Sequence, residues 1–185
     1  MNLTIYLSYY VIVITSVIGY GLFFQKIFKN TVDIEFEYNL LGSLLFFITI
    51  SFFTHFFFNH GYFHNTIILL TGVILFILNF SKEKKKIRIY IKYVSLIFGI
   101  LIIALLTHKT HDDFPFYHFP YTYYLTQENL VVGAGQLVHA FRTPSSIFYL
   151  NSLFYLPIIE YFLFNMGAIL ILGFANLTKA TTASI

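Results

Sequence analysis

The sequence predicts an all-α integral membrane protein of about five transmembrane helices, with short interfacial helices in a long outer loop. Three observations predict it. Hydrophobic residues make up 58% of the 185-residue chain and charged residues only 10%, with mean hydropathy +0.76. A water-facing surface draws on about a quarter charged residues, so hydrocarbon must be the solvent for much of this chain. Apolar runs also recur at lengths near the roughly 20 helical residues that cross a bilayer. None of them alternates as a barrel strand does, and in hydrocarbon the helix is then the one remaining way to satisfy the backbone.

The first run covers residues 5–24. The leader "MNLT" lacks the positive charge of a secretory signal, and the run is too long for one, so it reads as a retained span. Runs at 40–58, 62–80 and 89–106 follow, and residues 1–107 form a four-helix transmembrane region. The stretch "KEKKKIR", residues 82–88, brings Lys82, Lys84, Lys85, Lys86 and Arg88 into one short loop. Positive-inside bias puts that loop in the cytoplasm. Counting outward, residues 25–38 lie inside, while the N-terminus, residues 59–65 and residues 108–146 lie outside. Residues 147–176 form the last transmembrane helix, longer than one crossing needs and interrupted by Pro157 and Glu160; residues 177–185 are a frayed tail.

The outer segment 108–146 is rich in aromatics. Phe114 and Phe119 each precede a proline, which biases both toward extended backbone. Pro120 opens a short helix with Tyr121, Tyr124 and Leu125 on one side. "GAG" at 133–135 breaks it, and "QLVHAF" adds a turn or two. Ser145 or Ser146, just after Pro144, caps the last span. Short helices with such a face lie in the interface plane.

Chemistry concentrates at "HKTHDDFPFYHFPY", residues 108–121. Asp112 and Asp113 are adjacent, so regular backbone aims them apart; at a helix-to-loop junction they can approach, and one pKa then rises. That suits a group accepting a proton in a reaction. It equally suits a divalent cation, with His111 and His118 completing the site, or a solvated helix end. The sequence leaves these alternatives open. His108 and His111 share a helix face but have no third ligand. His55, His60 and His64 flank the other outer loop and read as interfacial polar residues. His118 and His139 read as hydrogen-bonded packing residues. Glu160 falls at or near membrane depth, where an ionisable group calls for a partner or a cavity, and Arg142 is one such partner.

Several classes are excluded. The chain has no cysteine, hence no disulfide, thiolate site or thiol nucleophile. It carries no GxxxxGK[ST], no GxSxG, and no GxGxxG followed by a correctly spaced acid, which argues against a soluble nucleotide-sugar enzyme or ATPase. Its net charge of +3 is small and concentrated in one run, which gives no nucleic-acid footprint.

Residues 112–165, above all "DDFPFYH" and "RTPSSIFYLNSLFYLP", resemble the outer-loop region of a family of large bacterial multi-pass membrane proteins, themselves similar to polytopic glycosyltransferases of the GT-C fold. The preceding helices and the lysine-rich loop fit the N-terminal part of that family. The resemblance implies a bacterial inner-membrane enzyme that transfers a sugar from a polyprenyl phosphate on the outer face, for cell-envelope glycan modification. It implies that Asp112 or Asp113 is the general base, or helps bind a divalent metal. His111, His118, Arg142 and Glu160 are its substrate-binding neighbours, with Arg142 toward a phosphate oxygen. Besides the lipid bilayer and the lipid-linked sugar, its partners would include further C-terminal helices. Two departures stand out: three spans precede the acidic loop's own helix, and the chain is short for such an enzyme. The expectation is therefore an N-terminal portion or a truncated frame. A non-enzymatic membrane subunit is the alternative. A transporter fragment, with Glu160 and the histidines in a proton path, ranks last: the first four spans carry almost no charge and no inverted repeat is visible.

Overall fold

A computed structural model describes residues 2–28, 36–80, 84–107, 112–142 and 144–182; for residues 28, 36–37, 84–89, 140 and 180–182 it describes the backbone alone. The all-α class is borne out. Among the described residues the sole β pairing is an isolated bridge between Leu156 and Glu160. Four long helices come first: α1 (Leu3–Phe28), α2 (Phe36–His55), α3 (Tyr62–Phe80) and α4 (Lys84–Leu106). A π-helical turn, Phe114–His118, runs directly into α5 (Phe119–Gln127). Then follow α6 (Ala134–Leu137), a 3-10 turn at His139–Phe141, α7 (Ser146–Ser152), a 3-10 turn at Tyr161–Leu163 and α8 (Met166–Thr182). The stretches Leu3–Ile27, Tyr38–His55, Tyr62–Phe80 and Tyr161–Lys179 are long and apolar enough to cross a membrane, and Tyr90–Leu106 is a shorter apolar helix.

The long helices run alternately up and down. α1 packs most extensively on α3, then on α2, while α8 fills the space between α2 and α4. Val13, Val17, Phe47, Leu170 and Phe174 are fully buried between them. The α1–α3 approach rests on small residues. A Cβ on Gly72 would collide with the Ser16 side chain and backbone, and one on Gly19 with the Gly72 carbonyl. Small residues of this kind let helix backbones close up where hydrocarbon offers no hydrophobic drive between helices. The core tyrosines find partners: Tyr10 donates to the Phe98 carbonyl at 2.8 Å and Tyr20 to the Ile68 carbonyl at 3.0 Å. Outward, Leu45, Ile74, Ile77, Leu96, Ile100 and Ile103 are all exposed, an apolar surface that water would not cover favourably.

Antiparallel alternation sorts the charges. Lys26 in the last turn of α1, Lys84, Lys85, Lys86 and Arg88 at the start of α4, and Lys179 in the last turn of α8 all belong to one end. Residues 81–83, with Lys82, lie outside the described residues. At the opposite end the 56–61 connection, α5, α6 and α7 form a cap.

Three local expectations are corrected. The second run stops at His55 rather than continuing to 58. Phe56, Phe57 and Phe58 instead form an exposed turn closed on the Phe53 and Thr54 carbonyls. The stretch 147–176 is not one interrupted helix: α7 ends at Ser152, and the chain reverses through 156–160 before α8. Pro157 lacks an N–H and cannot sit inside a helix, and Ile158 (φ 71°) and Glu160 (φ 48°) occupy positive-φ backbone there. Phe114, inside the π-helical turn, and, finally, Phe119 (φ −66°, ψ −52°) are both helical despite each preceding a proline. For Phe119 the pre-proline bias is outweighed by packing of its ring against Tyr123, Tyr161 and Phe164.

Candidate functional site

Asp112 and Asp113 are both exposed, at the turn that opens the π-helix. The Asp113 carbonyl accepts from the amides of Tyr117 (2.8 Å) and His118 (3.3 Å). The pair thus stands at the head of a continuous helical segment running from Phe114 to Gln127. Directly after it, Phe114 lines a cavity of about 420 Å³, with His118, Thr122, Asn151 and Asn165 among its polar lining. The His118 ring lies against Tyr117 and Phe148, with centroids 5.4 and 5.1 Å away. His111 lies outside the described residues, as does His108. Among the described residues no group of three or more His, Asp or Glu side chains is placed to hold a metal ion.

The remaining expected site residues are not brought to this cavity. Arg142 lines a second cavity, of about 500 Å³, together with Tyr121, Tyr124 and Tyr149. α5 and α7 form the wall between the two: His118, Thr122, Phe148 and Asn151 face one cavity, and Tyr121, Tyr124, Leu125 and Tyr149 the other. The Arg142 Nε donates to the Gly135 carbonyl at 3.1 Å. Glu160 faces neither cavity. It is exposed beside Tyr123, whose hydroxyl pKa is held above its ordinary range first by Tyr155, with Glu160 adding to the effect. The proposed Glu160–Arg142 pairing is therefore replaced by two separate placements. His139 is exposed on the 3-10 turn.

The structure also brings together groups that the sequence did not single out. His60 is fully buried rather than interfacial. Its Nε2 lies 3.1 Å from the Ser51 carbonyl and its Nδ1 2.6 Å from the Ser152 hydroxyl. A carbonyl only accepts, so Nε2 carries the proton toward Ser51; the single Ser152 proton lies between two acceptors, His60 Nδ1 and the Tyr149 carbonyl at 2.8 Å. Burial, followed by the neighbouring His55 and His64 rings, pushes the His60 pKa down to about 3. The three rings form a row, with His60 4.9 Å from His55 and stacked 5.1 Å from His64. Asn65, fully buried, turns the two hydrogens of Nδ2 to three carbonyls, those of His60 (2.6 Å), Ser152 (2.8 Å) and Tyr155 (2.9 Å), one hydrogen being shared. Backbone bonds complete the junction: the His60 amide donates to Leu125 and the Leu130 amide to His55. The 56–61 connection thus clamps the aromatic cap onto the bundle. Spacing gave no signal for this, because Asn65 and Ser152 lie 87 residues apart.

No protein-family model matches this chain, and neither a curated protein nor a solved structure is significantly similar to it.

Proposed function

We propose that this chain is the N-terminal part of a GT-C-like membrane glycosyltransferase that takes its sugar from a polyprenyl phosphate at the outer membrane face. The observation that carries the reading is that the exposed Asp112 and Asp113 directly precede Phe114, Tyr117 and His118, which line the cavity of about 420 Å³. In the reaction, one carboxylate removes the proton of an acceptor hydroxyl. The hydroxyl oxygen attacks the anomeric carbon from the face opposite the phosphate, and the bond to the polyprenyl phosphate breaks with inversion, the phosphate taking the electron pair. His118 and Asn151 stand where sugar hydroxyls would enter. Exposed carboxylates suit a base that meets an acceptor arriving from solvent.

A second reading, a non-catalytic membrane subunit, draws support from the cap's surface. Phe116 (79% exposed), Val132 (92%) and Leu137 (84%) project there with their apolar surface uncovered, as a partner-binding patch would. One experiment separates the two. Sugar transfer from a polyprenyl-phosphate donor is measured in membranes expressing the native gene product and its Asp112→Ala/Asp113→Ala variant. Loss of transfer with undiminished membrane insertion supports the enzyme; retained turnover rejects the aspartates as base. A native complex that survives with full biological activity in the variant favours the subunit.

A further inference from the structure

The end of α2 and the segment after α5 are tied together at one level of the molecule. α2 stops at His55, the last residue of a stretch long and apolar enough to cross a membrane. The Leu130 amide donates to the His55 carbonyl at 3.3 Å, the His60 amide to the Leu125 carbonyl at 2.9 Å, and Asn59 Nδ2 to the Gln127 carbonyl at 2.9 Å. These bonds strap residues 125–130 to the end of that stretch. Residues 131–138 then fold back as a compact shelf, closed by bonds from the amides of Ala134, Gln136 and Val138 to the carbonyls of Val131, Gly133 and Ala134.

Both pieces are apolar where the protein leaves them uncovered. Phe56, Phe57 and Phe58 are exposed on the turn after α2, and Phe63 in the first turn of α3. On the shelf, Val132 is 92% exposed and Leu137 84%. Residues 53–63 and 129–138 contain no Asp, Glu, Lys or Arg, and the two histidines among them, His55 and His60, are buried.

Depth decides what covers this surface. Where α2 crosses a bilayer, His55 marks the edge of the hydrocarbon. A chain advances at most about 3.6 Å per residue, so Val132 lies within about 7 Å of the strapped Leu130. The headgroup layer beyond each face of the hydrocarbon is itself roughly 5–8 Å thick. Val132 and the phenylalanine turn therefore stay within the lipid interface instead of rising into water. The surface is also continuous with the exposed flank of α2 at Leu45 and Phe53, the Phe53 and Phe57 rings lying 5.5 Å apart. The face that the sequence directs toward the membrane, Tyr121, Tyr124 and Leu125, packs with Phe148 and Tyr149 of α7 instead.

We propose that residues 130–138 and the turn Phe56–Phe58 form a collar seated in the phospholipid interface at this end of the molecule, held by apolar contact. With no cation in either segment, the seating is indifferent to anionic headgroups, unlike that of a basic amphipathic helix. The proposal rests on α2 crossing the membrane and on neither reading of Asp112 and Asp113.

The chain has no tryptophan, so one introduced indole reports alone. Val132→Trp, Leu137→Trp and Phe57→Trp, all at exposed positions, and Leu45→Trp midway along α2 are each reconstituted in phosphatidylcholine vesicles. The acyl chains carry bromine either near the glycerol or near the chain end. Leu45→Trp loses emission to the deep bromines. The three collar variants emit at blue-shifted wavelengths, lose more emission to the shallow bromines than to the deep ones, and lose little to aqueous iodide. Adding phosphatidylglycerol leaves these results unchanged. Water-like emission of Val132→Trp and Leu137→Trp that iodide quenches would overturn the collar. So would shielding from iodide and bromine alike, which marks a protein partner or a second copy, or bromine quenching that requires phosphatidylglycerol. A Leu45→Trp signal untouched by bromine also overturns it, by removing the span from which the depth is counted. Val132 and Leu137 report independently, so one variant that fails to fold leaves the other decisive. No arm reads sugar transfer, so the collar stands or falls apart from the role of base given to Asp112 and Asp113.

Discussion

His60 shows how one residue ties the fold to pH. Its imidazole is held neutral by burial and by two neighbouring rings, with a folded pKa near 3 against an ordinary value of 6.5. Below about pH 6.5 the unfolded chain takes up a proton that the folded chain refuses, so protons favour unfolding. The stability this residue contributes is therefore complete above pH 6.5 and declines as pH falls from there toward 3. Its share of the slope is at most about 1.4 kcal/mol per pH unit. Thermal unfolding of the chain in detergent between pH 7.5 and 4.5 measures it: His60→Gln should show a flatter dependence than the parent, and identical slopes would refute the account. Asn65 works beside it by geometry alone. Three carbonyls from two distant segments converge on its amide, so any apolar replacement strands them in a buried setting.

At the scale of elements, α1 and α3 are joined where Ser16, Gly19 and Gly72 meet. A side chain at Gly72 has no room to rotate away, since backbone of α1 lies in its path as well as the serine hydroxyl. Gly72→Val should therefore cost about 1–3 kcal/mol by overpacking. Gly42→Ala is the control: a Cβ there meets nothing within 4 Å, and alanine is the better helix former. Unfolding in mixed micelles should separate the two variants clearly; equal stability would mean that α1 and α3 do not touch as described. The α7–α8 junction follows the same logic. The Gly167 amide donates to Asn151 Oδ1 at 2.9 Å, and a Cβ on Gly167 would crowd that same oxygen. The helices themselves were legible from run length, and the interruption of the last run was signalled by Pro157 and Glu160, but not that α7 would end as early as Ser152.

For the whole molecule, the division of charge between two ends sets the expected orientation. Lys26, the basic start of α4 and Lys179 share one end, and positive-inside bias would hold that end in the cytoplasm. The aromatic cap and Asp112 would then face outward. The absence of cysteine makes this directly measurable. Asp112→Cys in intact cells should react with a membrane-impermeant maleimide, while Lys84→Cys should react only after permeabilisation. The reverse pattern would remove the ground for outer-face sugar transfer.

By itself the sequence determined the all-α class and the approximate place of the four long N-terminal helices, because these follow from composition and run length along a continuous chain. It also placed the Asp112–Asp113 pair at a helix junction and the short helix after Pro120. Tertiary structure alone decided which side chains share a cavity. His118 and Arg142 fall on opposite sides of the α5–α7 wall, and Glu160 on a strained turn away from both. His55, His60 and Asn65 became the buried junction of the cap. Burial and hydrogen-bond convergence depend on contacts between segments dozens of residues apart, and no local spacing encodes them.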